Sequence, residues 1–400
     1  MDFFQVISLL GGLAMFLYGM RLMGDSLKEN SSGTLKRAMS KVTNNPVKAF
    51  ILGVLVTALI QSSTATIVIT AGLVGAGILT LHQSLGIIIG ANVGTTVTGQ
   101  IIRLLDIDSS GSSFLRIFQP STLAPIALII GIVLIMTSFF KNARSIGNIA
   151  IGFGILFSGL LNMTGAVNSL SESGVFESLF SMLGDNPFLG YVTGAGVAFT
   201  LQSSSATVGI LQTFSQTGML TFKSIYSVIV GIYLGDCVTT AIVCSIGAKA
   251  EARRVGVVNI LFNLSETILV LLVVTIVHKL GLLDGLWDRT VNSGMIANTN
   301  TIFNLGCALA LFPMLNVYEK LSRKIIREKP AKNSKYKEVT DGLNPVFFNT
   351  PALALQSCYK TLLAIFSAAR TNIEQSFDLL NQYDPAVHKT ILAEEDEIDR

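Results

Sequence analysis

Charge is what this chain has least of. Only 13% of its 400 residues are Asp, Glu, Lys or Arg, against about a quarter in ordinary soluble domains. From Ala49 to Ile102 there is none at all. Such a stretch excludes an aqueous globular fold and makes hydrocarbon the expected solvent. Half of the residues are hydrophobic. The net charge of +3 says little about partners, because charges on the two sides of a bilayer do not act on one ligand. A lipid bilayer is the expected surrounding, and no nucleic-acid partner is expected.

Histidine and cysteine are also scarce. The three histidines are scattered, and the four cysteines (Cys237, Cys244, Cys307, Cys358) show no metal-ligand spacing. Three of these thiols lie in apolar sequence, where cysteine packs as a small core residue. No nucleophile elbow, Walker loop or zinc motif occurs. The chain is therefore not expected to be an enzyme or to carry a resident cofactor. Met1-Asp2 is not basic and the first apolar run has no cleavage pattern, so no secretory signal is expected.

What is present is present twice. Gln61-Ser62-Ser63-Thr64-Ala65-Thr66 recurs as Gln202-Ser203-Ser204-Ser205-Ala206-Thr207, 141 residues further on. The same offset carries Gly53 to Gly194, Gly77 to Gly218, Thr80 to Thr221, Gly90 to Gly231, Gly94 to Gly235 and Thr98 to Thr239. Duplicated polar clusters inside apolar sequence point to a secondary transporter whose two halves meet at a midplane site.

Apolar runs place membrane spans near 3–23, 84–102, 121–140, 146–163, 224–247, 255–277 and 293–316. The two Gln-Ser-Ser regions, 47–79 and 188–220, are either full spans or re-entrant hairpins. Loop charge decides between them. With two hairpins and the N-terminus outside, the basic residues Arg21, Lys28, Lys36, Arg37, Lys41, Lys48, Lys141, Arg144, Lys249, Arg253 and Arg254 fall on the cytoplasmic side. The 164–187 loop, with Glu172, Glu177 and Asp185 and no Lys or Arg, then falls outside. Each repeat has three spans, an odd number, so the second is inverted. The expected fold is an all-α polytopic membrane protein of two inverted-topology repeats, each of three spans plus a re-entrant Gln-Ser-Ser hairpin, with a cytoplasmic helical tail. Its parts are repeat 1 (1–140), repeat 2 (141–280), an additional transmembrane helix (281–318), a basic cytoplasmic linker (319–348) and the tail (349–400).

In the tail, Leu355, Tyr359, Leu362, Phe366, Ala369, Ile373, Phe377 and Leu380 follow steps of three and four, one apolar stripe on a helix. Asp384-Pro385 starts a second helix. Two such helices cannot close a bundle, so this unit is expected to be incomplete or to pair with a second copy.

The polar clusters carry the chemistry. A hairpin tip at Gln-Ser-Ser exposes backbone amides at the N-terminus of the returning half-helix, and those amides with serine and threonine hydroxyls attract an anion. A lone cluster reads as helix packing; duplication at matched positions argues for a site. The expected anion ligands are Gln61, Ser62, Ser63, Thr64, Gln202, Ser203, Ser204 and Ser205, around a small tetrahedral oxyanion. The second pair of segments is Gly90 to Thr98 and Gly231 to Thr239. Their glycines permit local unwinding, which frees carbonyls. Asn92, Thr95, Thr96, Thr98, Asp236 and Thr239 then supply hard oxygen ligands suited to Na+. Asp236 is an intramembrane carboxylate, functional by default, with a hydrogen-bonded structural Asp as the alternative. Glu266 reads either as a proton or cation site or as a packing residue. Asn263 and Asn304, both in Phe-Asn-Leu contexts, read as interhelical hydrogen-bonding groups.

These motifs resemble the sodium–phosphate cotransporter family, the type II class and its bacterial relatives. The resemblance covers about residues 1–316, through both Gln-Ser-Ser motifs, Gly-Ala-Asn-Val-Gly-Thr-Thr-Val-Thr and the Asn298–Pro313 segment. The tail from about Leu343 resembles the start of a PhoU-like domain. The family implies Na+-coupled transport of inorganic phosphate, with the Gln-Ser-Ser residues at a shared substrate and ion site. One departure stands out: Gly-Ile-Tyr-Leu-Gly-Asp-Cys replaces a pattern like Gly-Ala-Asn-Ile-Gly-Thr-Thr, so Tyr233 stands for an amide and Asp236 for a threonine.

The leading expectation is a phosphate carrier of a bacterial plasma membrane driven by Na+ through alternating access, N-terminus outside and tail cytoplasmic. The alternatives are a phosphate exporter, an H+-coupled carrier using Glu266 or Asp236, and a membrane phosphate sensor signalling through the tail.

Overall fold

The computed structural model describes residues 3–40, 45–106, 119–137, 142–171, 175–246, 248–327, 351–381 and 383–398. The described chain is helices and connecting turns, with one antiparallel bridge between Thr221 and Thr290. Residues Met1–Arg327 form one compact unit and Glu328–Arg400 a second.

Among the described residues of the first unit, seven stretches are long and apolar enough to cross a membrane: Phe3–Glu29, Leu81–Asp106, Pro120–Thr137, Ala143–Asn168, Phe222–Val243, Ala250–Lys279 and Ser293–Ile325. They coincide with the seven spans expected from the sequence. The helices that carry them are α1 (Phe3–Ser40), α4 (Leu81–Ile102), α5 (Pro120–Thr137), α6 (Ala143–Ser171), α10 (Phe222–Val243), α11 (Ala250–Lys279), and α13 (Ser293–Leu311), which runs on through a tight turn into α14 (Leu315–Ile325). The others are α2 (Pro46–Ile60), α3 (Ser63–Gly75), α7 (Val175–Asp185), α8 (Pro187–Leu201), α9 (Ser204–Ser215) and the single turn α12 (Asp284–Trp287).

The repeat is visible in the backbone. Asn45 and Asn186 cap α2 and α8, each side-chain oxygen accepting from the two amides that follow the proline at the first helical position. Both helices then break at glutamine. Gln61 and Gln202 turn left-handed, with φ 59° and 53°. The chain restarts at once, because Ser62 and Ser203 cap α3 and α9 by accepting from Ala65 N and Ala206 N. Left-handed glycines close the second turn, Gly77 at φ 72° and Gly218 at φ 71°. Thr80 and Thr221 then begin α4 and α10. Helix α2 has 15 residues and α3 has 13. At about 1.5 Å per residue, neither reaches across the roughly 30 Å of a hydrocarbon core.

The glycines at 90, 94, 231 and 235 do not unwind anything. Helices α4 and α10 run unbroken through them, which corrects the expectation of freed carbonyls. Their role is close approach. A side chain at Gly90 would strike the Phe50 carbonyl of α2, and one at Gly231 the Tyr191 carbonyl of α8. Without hydrophobic attraction between helices in lipid, such backbone proximity supplies the packing energy. The contact of α1 with α6 is built the same way: a Cβ on Gly152 would lie 2.8 Å from the Gly19 carbonyl.

Two ends of α4 identify what lies together. At its start, His82 Nδ1 is 2.9 Å from Glu319 Oε2 of α14. Arg323 bridges Glu319 to Glu251, at the start of α11. The base of the α2–α3 pair sits here too, since Gly86 abuts Pro46 and Gly75 abuts Ala252. Beyond its other end, Asp106 accepts from Gln216 at the end of α9 and from the amides of Ser293 and Gly294 that open α13.

Two parts read as irregular from the sequence are helical. Most of the expected 164–187 loop belongs to α6 and α7, and the expected linker begins inside α14. Residues 328–348 of that linker lie outside the described residues, as do Lys41, Lys141 and Glu172 from the charge argument.

The second unit holds α15 (Pro351–Asn381) and α16 (Pro385–Ile398). Asp384 Oδ1 accepts from Ala386 N at 2.8 Å, the expected cap. The two helices meet where Asn372 Nδ2 donates to Ile391 O. The apolar stripe at Leu362, Phe366, Ile373, Phe377 and Leu380 is exposed.

Candidate functional site

Each broken pair presents a helix N-terminus in the interior of the unit. Three residues meet there. Ser63 Oγ, at the start of α3, donates to Asp236 Oδ2 at 3.2 Å. Ser204 Oγ, at the start of α9, donates to the same oxygen at 3.1 Å. All three are buried. One carboxylate oxygen thus ties together the equivalent serines of the two repeats. It occupies the place where two N-termini and two hydroxyls converge on negative charge. Around it, Thr64 and Thr240 share a hydrogen bond of 2.9 Å. Ser205 Oγ donates to Thr98 Oγ1 at 3.4 Å, and Thr98 in turn to Gln61 Oε1 at 2.8 Å.

The other expected anion ligands divide by role. Ser62 and Ser203 use an oxygen lone pair to cap their helices and keep an O–H to donate. Gln61 is committed: besides accepting from Thr98, its Nε2 donates to Ala58 O at 2.6 Å. Gln202 is exposed.

A polar cavity of about 20 Å³ lies beside Asp236, water-sized rather than phosphate-sized. Asn92 and Thr95 of α4, Ser204 of α9, Tyr233 of α10, Asn263 of α11, and Asn300 and Asn304 of α13 line it. Of the residues expected at a cation, Asn92, Thr95 and Asp236 are brought together here. Thr96 and Thr239 do not line it; like Thr95, whose hydroxyl donates to Ala91 O, each donates to a carbonyl of its own helix, Val93 O and Asp236 O. Thr98 belongs to the serine cluster.

Two sets of amides hold the walls. Asn92 Nδ2 donates to Asn259 Oδ1 at 3.1 Å, and Asn263 Nδ2 bonds the same oxygen. Tyr233 Oη donates to Asn300 Oδ1 at 2.7 Å, and Asn304 Nδ2 bonds that oxygen. Asn263 and Asn304 therefore bond within their own helices, which corrects the expectation of interhelical bonds; Asn259 and Asn300 make those instead. Asn92 and Tyr233 are equivalent positions of the repeat, so the tyrosine keeps the amide's function of reaching an asparagine on the neighbouring helix. Asn259 and Asn300 were not singled out from the sequence. Their signal is there: Asn259-Ile-Leu-Phe-Asn263-Leu and Asn300-Thr-Ile-Phe-Asn304-Leu share a pattern, and a spacing of four puts both asparagines on one helix face. Glu266 lies deeper in α11, fully buried.

The sequence profile of the family described as "Na+/Pi-cotransporter" matches the chain twice, over residues 15–165 and 159–297. The chain belongs to the Na+/Pi-cotransporter family. Each match contains one Gln-Ser-Ser break. Among curated relatives, "Putative inorganic phosphate export protein YjbB" of Salmonella typhimurium is 26% identical over 370 residues, 92% of this chain and 64% of that protein. The chain thus spans just under two thirds of the YjbB length. "Uncharacterized protein YqeW" of Bacillus subtilis is 26% identical over 327 residues, 81% of this chain and 99% of that protein. Human "Sodium-dependent phosphate transport protein 2B" is 37% identical over 83 residues, 21% of this chain and 12% of that protein. No solved structure matches the chain.

Proposed function

We propose that this chain moves inorganic phosphate across the plasma membrane, coupled to Na+, by alternating access. The observation that carries the reading is the pair of equivalent serines, one from each repeat, bonded to one oxygen of Asp236. That carboxylate marks where an anion is received. Phosphate takes the hydroxyls of Ser62, Ser63, Thr64, Ser203, Ser204 and Ser205, with Gln61 and Gln202 shaping the two breaks. Na+ sits in the adjoining cavity among Asn92, Thr95 and Asp236, with Asn263 and Asn304 holding its walls. Thr96, Thr98 and Thr239 lie outside the lining of that cavity and become ligands only if the site rearranges.

The cavity is too small for phosphate, so the arrangement is a closed one. Opening requires the α2–α3 and α8–α9 pairs to separate at Asp236. Their bases lie at opposite ends of α4, one beside Glu319 and one beside Asp106. Movement of one pair therefore opens the site to one side of the membrane. This supports two inverted re-entrant hairpins and alternating access. Lys320 and Lys324 on α14 share the end of α4 where the α2–α3 pair is based, which favours a cytoplasmic tail.

Uptake of labelled phosphate into vesicles carrying the purified chain tests the reading. An inward Na+ gradient should accelerate uptake, and equal uptake with K+ replacing Na+ would remove the coupling. The second reading is export. It is favoured by the YjbB match over 92% of the chain, against 21% for the human sodium-dependent phosphate transport protein 2B. Phosphate loss from preloaded cells expressing the chain separates the two.

A further inference from the structure

Glu266 has no part in the reading above. It is 0% exposed, and among the described residues neither carboxyl oxygen has a hydrogen-bond partner. Four ionisable side chains stand close enough to feel its charge: Tyr233 and Cys237 of α10, Cys307 of α13 and Tyr318 of α14. None is a base. Among the described residues the helices packed on α11 offer no basic partner; Tyr191 of α8, which reaches Thr267 beside Glu266, is another phenol. Helix α3 has no titratable residue, and α13 has only Cys307. On α4 the sole such residue is His82, bound to Glu319. On α10, Lys223 pairs with Asp288, and Asp236 is held by the two serines. On α14, Arg323 is bonded to Glu251 and Glu319, while Lys320 and Lys324 are exposed. On α11 itself, Arg254 is bound to Glu251.

A carboxylate held from water without a partner is strongly disfavoured, even after relaxation. Two phenols and two thiols are poor ligands for a sodium ion, which takes hard carbonyl and carboxylate oxygens. A proton needs no further ligand. Glu266 is also connected to the site. Asn259, Asn263 and Glu266 follow at spacings of four and three, one face of α11, and Asn263 lines the cavity beside Asp236.

We propose that Glu266 is a proton-binding site, protonated in this closed conformation and exchanging H+ with water when the site opens. The exchange is a plain protonation: a proton from solvent forms the O–H bond, and its release restores the carboxylate. That H+ moves together with phosphate rests on the transport reading above; the protonation itself does not.

The test uses the full chain in vesicles loaded with a pH-sensitive dye, comparing wild type with Glu266→Gln. The ratio of H+ to phosphate moved should fall by about one in the variant, because one carboxyl carries one proton and the amide carries none. An unchanged ratio overturns the proposal. Infrared spectra of the wild-type chain provide a measurement that needs no active variant. A carbonyl band from a protonated carboxyl lacking hydrogen bonds should persist at mildly alkaline pH and shift in heavy water. Its absence overturns the proposal even if Glu266→Gln does not fold. If wild type moves no phosphate, the transport reading fails, and the infrared band alone decides the protonation of Glu266.

Discussion

Gln61 and Gln202 adopt the same left-handed turn, φ 59° and 53°, at equivalent points of the two repeats. They are the non-glycine residues with positive φ among those described. A left-handed residue with a Cβ costs roughly 1–2 kcal/mol, and here that cost is met twice to stop one helix and start another within two residues. The result is a serine hydroxyl at the N-terminus of a buried helix, twice over.

The side chain of Gln202 is exposed, so the backbone turn is separable from it. Gln202→Gly should keep or raise the thermal unfolding temperature, because glycine takes positive φ freely. Gln202→Val should lower it, since a β-branched residue resists that turn most. Equal unfolding temperatures for the two variants would mean that the turn relaxes in solution.

Ser63→Ala and Ser204→Ala should each weaken phosphate binding. A hydrogen bond to a charged group is worth roughly 1.5–3 kcal/mol, so affinity should fall about tenfold or more. Calorimetric titration of both purified variants checks this. Wild-type affinity in both would sink the shared site.

Asp236→Asn removes the negative charge that Ser63 and Ser204 now bind. If the carboxylate is a sodium ligand, apparent Na+ affinity should drop and the charge moved per cycle should change. In a low-dielectric interior its attraction for a cation is far stronger than in water. Phosphate-dependent current, measured against Na+ concentration in reconstituted protein, reads both. An unchanged Na+ curve in folded variant protein takes Asp236 out of the cation site.

Gly231→Leu should be severely destabilising, because its Cβ would strike the Tyr191 carbonyl of α8 and helix backbones cannot part without losing their packing. Gly72→Ala is the control. Nothing lies within 4 Å of a Cβ there, and alanine in a helix is favoured over glycine by roughly 1 kcal/mol. Size-exclusion profiles and unfolding temperatures in detergent should show the first aggregating and the second unchanged or improved. A well-folded Gly231→Leu would show that α8 and α10 are not in backbone contact.

Much of this chain was legible from its residues alone. Seven spans follow from apolar runs, because the bilayer sets both length and composition. The duplication at 141 residues, the breaks at Gln-Ser-Ser and the helix restart at Asp384-Pro385 are local signals, written in capping and turn chemistry. Local chemistry misread the glycines. At Gly90 and Gly231 the sequence allows either unwinding or close packing, and only the positions of α2 and α8 decide for packing. The partner of Asp236 was likewise invisible, since Ser63 lies 173 residues away and hydrogen bonding leaves no periodicity to find. The same holds for Asn259 and Asn300, whose spacing of four shows that they share a face but not what the face meets. Spans, breaks and caps are set by neighbours in sequence. Which polar groups share a buried oxygen is set by the folding of one repeat against the other, and that the tertiary structure alone decided.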